Sequence, residues 1–158
     1  MRFYLKQRVF SWSDKFTVYD ENGTDCYYVQ GEVLSFGKRL HLCDLSGREL
    51  LYIRQKMIAF LPQYRIFQNG VNVAEMIKEF TLFHPAYRVE PLGWRVRGDF
   101  FDHDYEILCG NQTVAAVSKQ WFTFGDAYEI NVSKLVDPVM ALAVALVIDA
   151  CIEASQNN

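Results

Sequence analysis

The side chains with which this 158-residue chain could do chemistry are four cysteines, three histidines and nineteen acidic residues. Cys26, Cys43, Cys109 and Cys151 form no C-x-x-C pair and no zinc-ligand spacing. Three of them stand among apolar neighbours, where a thiol is expected to act as a small core hydrophobe. His41, His84 and His103 lack the spacing of an H-E-x-x-H metal site. The densest group of oxygen ligands is Asp99, Asp102, Asp104 and Glu106 around His103, and it lacks the glycine turn and spacing of a calcium loop. A solvated hairpin turn is the simpler reading. There is no G-x-S-x-G nucleophile elbow and no glycine-rich phosphate cradle. The expectation is a non-catalytic chain without metal or cofactor. Asp149 stands out because a carboxylate in apolar surroundings must be paired or shifted in pKa. A hydrogen bond to backbone or a nearby arginine at a helix exit is the expected answer. A ligand or proton site inside the fold is the alternative.

Binding chemistry is better supplied. The segment Met57-Ile58-Ala59-Phe60-Leu61-Pro62 is apolar and is flanked by Arg54, Lys56 and Arg65. Arg54 and Lys56 share one face of a strand, because side chains alternate with period two. Apolar residues such as Ile58, Phe60 and Leu61 can enter a membrane interface while Arg54, Lys56 and Arg65 meet anionic head groups. Phe80-Thr81-Leu82-Phe83 and Trp121-Phe122-Thr123-Phe124 occupy comparable positions further on. Aromatics repeated in this way are expected to seal the sheet rather than touch lipid. Net charge is −3, the wrong sign for neutralising a nucleic-acid backbone, so nucleic acid is not an expected partner.

These residues must be positioned by strands. Alternating apolar and polar residues, punctuated by Gly, Asn and Asp, mark about twelve. They lie near 3–9, 15–20, 25–33, 39–44, 49–57, 62–68, 71–80, 86–91, 93–99, 104–110, 113–120 and 126–132. Residues 64–87 align without gaps on residues 105–128, with eight identities that include Tyr64/Tyr105, Ile66/Ile107 and Tyr87/Tyr128. A single hairpin cannot bury its apolar face alone, so such units must join a larger sheet or barrel. The chain ends differently. Asp137-Pro138 is an N-cap followed by a first-turn proline, and residues 139–148 are ten consecutive apolar residues. A helix with no polar face must be enclosed. Ten residues are half of what a bilayer span needs, so a core helix is expected and a transmembrane segment is not. A closed barrel removes exposed strand edges and gives that helix an apolar sleeve.

Along nearly its whole length the chain resembles the LURP-one-related family, within the tubby C-terminal-like and phospholipid scramblase-like group. The resemblance rests on Phe16-Thr17-Val18-Tyr19-Asp20 with Gly23, Leu45-Ser46-Gly47-Arg48-Glu49-Leu50, Asp104-Tyr105-Glu106-Ile107, Val114-Ala115-Ala116-Val117-Ser118-Lys119, Tyr128-Glu129-Ile130 and the final helix. It implies one mainly β domain over residues 1–158: an antiparallel, twelve-stranded closed barrel around a buried hydrophobic C-terminal helix. It implies no single activity, because tubby domains are associated with phosphoinositide head groups and scramblases with lipid movement. The chain lacks the dense Lys/Arg cluster of lipid-binding members, and no site transfers residue by residue. The expected role is a cytoplasmic binding module, peripheral to a membrane where it meets anionic phospholipid. A protein–protein scaffold is the alternative. A small-molecule carrier or enzyme with a cavity beside the helix is the third reading.

Overall fold

The computed structural model describes residues 1–6, 15–32, 36–122 and 125–156. Twelve strands and one helix follow in chain order: β1 (Arg2–Lys6), β2 (Lys15–Asp20), β3 (Asp25–Gly31), β4 (Arg39–Cys43), β5 (Glu49–Gln55), β6 (Gln63–Gln68), β7 (Val71–Glu79), β8 (Ala86–Glu90), β9 (Trp94–Asp99), β10 (Asp104–Cys109), β11 (Gln112–Phe122), β12 (Gly125–Val132) and α1 (Pro138–Gln156). All neighbours are antiparallel, and β1 pairs with β12 to close the barrel. The expected strands are present in order. The expected strand residues 7–9 and 33, and Thr123 and Phe124 of the third connector, lie outside the described residues.

The local chemistry of the strands explains the closure. In β4, β5 and β6 every second residue is buried, so Leu40, Leu42, Leu51, Ile53, Tyr64 and Ile66 line the interior. Their neighbours face outward, as a two-residue period requires. Tight turns set the register. Gln68 pairs with Val71, leaving Asn69 and Gly70 both at positive φ (50° and 77°), the geometry of a two-residue hairpin. Asp20 and Asp44 build matching turns. Each Oδ1 accepts hydrogen bonds from the backbone N–H groups two and four residues on, at 2.8 to 3.0 Å.

The repeat is structural. Tyr64/Tyr105, Ile66/Ile107, Ala74/Ala115 and Tyr87/Tyr128 are buried at both copies. A β-bulge falls between Ile66 and Phe67 in the first copy and at the equivalent step between Ile107 and Leu108 in the second. Bulges add local twist and curvature, so recurring ones help bend the sheet closed.

Helix α1 fills the barrel. Asp137 caps it, its Oδ1 accepting from the Val139 N–H at 2.9 Å, and Pro138 opens the first turn. Ala141 to Ile148, Ala150, Cys151 and Ile152 are buried, as the unbroken apolar run requires. By length and composition α1 could cross a membrane, but here it occupies the barrel interior.

Candidate functional site

An up-and-down barrel has two ends, and here they differ. At one end short turns follow β2, β4, β6, β8 and β10, and α1 enters from β12. At the other lie the described residues 36–38 ahead of β4 and the loops 56–62, 80–85 and 100–103 after β5, β7 and β9. The described residues include twelve exposed large hydrophobics, and eight sit on these four segments: Phe36, Met57, Ile58, Phe60, Phe80, Leu82, Phe83 and Phe101. Ile58 and Phe60 are 92% and 97% exposed. A folding core gains nothing from them.

The expectation that the repeated aromatic connectors seal the sheet is therefore corrected for Phe60, Phe80 and Phe83. The loops are long enough to carry these rings past the strand ends, where no neighbouring strand remains to cover them. Leu61 departs in the other direction, being half-buried while Ile58 and Phe60 project.

The cations are arranged by register. Arg54 lies opposite Arg39 on β4 and opposite Arg65 on β6, so three guanidinium side chains form a row on the outer face. Like charges directly opposite destabilise a sheet unless something offsets them. At one end of the row Arg39 reaches Glu32 at 3.4 Å. At the other, Arg65 Nε donates to Glu75 at 2.8 Å, and Gln63 and Asn72 donate to the same carboxylate. Burial pushes the Glu75 pKa up, but these three donors outweigh it and hold the carboxyl below its ordinary value. Arg54, in the middle, has no carboxylate partner among the described residues and lies 5.2 Å from the Phe67 ring. Lys56 likewise has no carboxylate partner there. Of the three expected cations, Arg54 and Lys56 are available and Arg65 is committed to Glu75. Arg39 was not expected. Its place in the row depends on cross-strand register, which spacing within one strand does not reveal.

Beneath this rim the C-terminal half of α1 is held by side chains from the loops. Lys38 donates to the Ala150 carbonyl at 3.1 Å and to Glu153 at 2.6 Å, capping a helix that has no basic residue in its own last turn. Asp149 has a partner, though not an arginine: His103 Nε2 lies 3.0 Å from its Oδ1, and the His103 ring stacks on Tyr128 at 4.1 Å. Burial raises the Asp149 pKa, more than the His103 contact lowers it. The space beside Asp149, His103 and Tyr128 is about 10 Å³, scarcely that of one water, so no small-molecule ligand fits there.

The cysteines correct a further expectation. Only Cys151 is buried; Cys26 and Cys43 are half-buried and Cys109 is exposed at a turn. Burial pushes the Cys151 thiol up to about 11, so it stays protonated at neutral pH.

The sequence profile of the LURP-one-related family matches residues 1–149. The chain belongs to the LURP-one-related family. One relative is the uncharacterized protein YxjI of Bacillus subtilis (strain 168), 32% identical over 146 residues that span 92% of this chain and 90% of that one. The fold of this LURP-one-related barrel is also that of a protein from Arabidopsis thaliana known from an X-ray structure. The two share 14% identity and a TM-score of 0.66, covering 94% of this chain and 89% of the other. At that identity the likeness concerns fold alone.

Proposed function

We propose that this LURP-one-related barrel is a non-catalytic binding module that docks its loop end on an anionic phospholipid surface in the cytoplasm. The observation that supports the reading is the concentration of exposed apolar side chains on one end of the barrel, next to Arg54 and Lys56, two cations with no carboxylate partner among the described residues. Met57, Ile58 and Phe60 would enter the interface. Arg54 sits three residues before Met57, about 10 Å back along an extended chain. Apolar groups enter the headgroup–acyl boundary by about 5–10 Å, so Arg54 and Lys56 would meet the phosphates as the tips reach the acyl chains. Each basic residue near an anionic leaflet contributes about 1 kcal/mol.

Vesicle sedimentation tests this. The chain is expected to pellet with phosphatidylserine-containing vesicles, less so as salt rises, and not with neutral ones. Arg54→Glu with Lys56→Glu, and separately Ile58→Glu with Phe60→Glu, should each weaken binding by at least about tenfold. No pelleting at any anionic lipid content would refute the reading.

A further inference from the structure

The barrel wall has a gap. Strand β8 pairs with β9 only where Tyr87, Arg88 and Val89 face Val96, Arg95 and Trp94. Strand β9 continues for three more residues, and Arg97, Gly98 and Asp99 pair with Glu106, Tyr105 and Asp104 of β10 alone. On their other side the chain has turned away into loop 80–85. The divergence leaves a cleft of about 1030 Å³ between that loop and the end of β9. A strand edge without a neighbour is an open template for pairing.

The cleft is built rather than frayed. Phe100 is 3% exposed, packs edge-on against Tyr87 at 5.1 Å, and lies 5.4 Å from Tyr105. Gly98 has φ 138°, and a Cβ there would lie 2.5 Å from the Asp104 carbonyl oxygen. Such a close approach is available only to glycine. On the opposite wall the Thr81 hydroxyl donates to the His84 carbonyl, tying the loop to itself. Leu82, Phe83 and Phe101 project into solvent at the mouth. Charge sets the sign of the occupant. Asp99, Asp104 and Glu106 line the cleft against one arginine, Arg97.

We infer that this cleft receives an extended segment of a protein partner, which adds as a short strand to the Arg97–Asp99 edge and carries a bulky apolar residue flanked by Lys or Arg. Main-chain hydrogen bonds would supply affinity, while the aromatic mouth and the acidic rim would supply selection. This surface lies on the β7–β10 side of the rim, whereas the cations of the lipid reading lie on β5 and the loop after it. Either can therefore fail without the other.

The test uses the full chain, isotopically labelled, and three synthetic peptides. One is Lys-Val-Phe-Leu-Arg-Lys with blocked ends, one replaces its basic residues with Glu, and one places Pro at its second and fourth positions. The basic peptide is expected to shift the amide resonances of residues 81–86 and 97–106 and to slow hydrogen exchange at Arg97–Asp99. The acidic and the proline peptides should bind at least about tenfold more weakly. Asp104→Lys with Glu106→Lys should weaken the basic peptide by a similar factor while leaving the remaining amide spectrum in place. Equal affinity for all three peptides, shifts confined to other residues, or movement of these amides by anionic vesicles but by no peptide would overturn the proposal.

Discussion

The two ends of this barrel are made by the same strands and solve opposite problems. At the turn end Asn69-Gly70 and the Asp20 and Asp44 turns satisfy their own backbone within two to four residues, and four exposed large hydrophobics, Met1, Leu45, Val71 and Leu135, stand there against eight at the loop end. At the loop end connections of four to seven residues carry Phe36, Ile58, Phe60, Phe83 and Phe101 into solvent. Exposure of single apolar residues is ordinary, but a cluster on one end is what the proposed docking surface requires. The turn end is shaped by folding. The loop end carries side chains that folding does not need, and it is the end that α1 and its Lys38 and His103 contacts hold in place.

The largest expected effect sets one isoleucine against another. Ile148 is fully buried on α1 and Ile58 is 92% exposed on the loop after β5. Ile148→Ala should cost about 2–5 kcal/mol of stability in urea unfolding, from lost burial and the cavity left behind. Ile58→Ala should change stability by no more than about 0.5 kcal/mol. In vesicle binding the order should reverse, with Ile58→Ala weakening the interaction and Ile148→Ala, assayed below its unfolding midpoint, leaving it unchanged. Equal stability losses would mean that the loop end is packed and the contrast false.

Glycines sharpen the same contrast. Gly47 sits in a tight turn at φ 86°, and a methyl group added to its Cα would meet nothing within 4 Å. Gly47→Ala should therefore cost only the conformational term of about 1–2 kcal/mol. Gly98→Ala adds a clash with the Asp104 carbonyl and with Tyr105 Cα at 2.6 Å, both backbone, and should cost more than Gly47→Ala by thermal or urea unfolding. A Gly98→Ala variant as stable as the Gly47→Ala one would mean that β9 and β10 part easily at the cleft.

How much of this could be read from residues alone follows the same division. Local patterns carry local structure: the turn glycines, the period-two strands, the Asp137-Pro138 cap and the apolar run of α1 each announce an element within a few residues. The gapless alignment of Tyr64 and Tyr87 on Tyr105 and Tyr128 reached further, because a repeat reports shared environment. Expected Arg54 and Lys56 stand next to the apolar tips because they are close in sequence. What stayed hidden depends on register or distance along the chain. Arg39 meets Arg54 through pairing of β4 with β5, and His103 meets Asp149 across 46 residues. The gap beside β9 is a shortfall of pairing, which leaves no residue pattern of its own.

The smallest effect is a pair of pH dependences that separate core from surface. Asp149 lies within the helix anchor, facing His103 from the β9–β10 turn, Lys38 from the β3–β4 loop, Tyr105 from β10 and Glu153 on α1 itself. Burial holds its pKa above the ordinary 3.8, so the folded state keeps a proton that the unfolded chain has released. Stability should fall as pH rises from about 3.8 through the folded value, then level off. Asp149→Asn should remove that slope. His41 is on the outer face, with Nδ1 at 2.5 Å from Glu49 and Nε2 at 2.9 Å from Glu32. Burial lowers its pKa, but the two carboxylates prevail and leave it raised above 6.5. Only the protonated ring can donate from both nitrogens. Its contribution is complete below pH 6.5 and is lost as pH climbs through the raised value. His41→Gln should therefore flatten the near-neutral limb of the stability profile and leave the acid limb, while Asp149→Asn does the reverse. Urea midpoints measured from pH 4 to pH 8 on both variants decide it, since a single substitution that flattens both limbs would show that rim and outer wall unfold as one electrostatic unit.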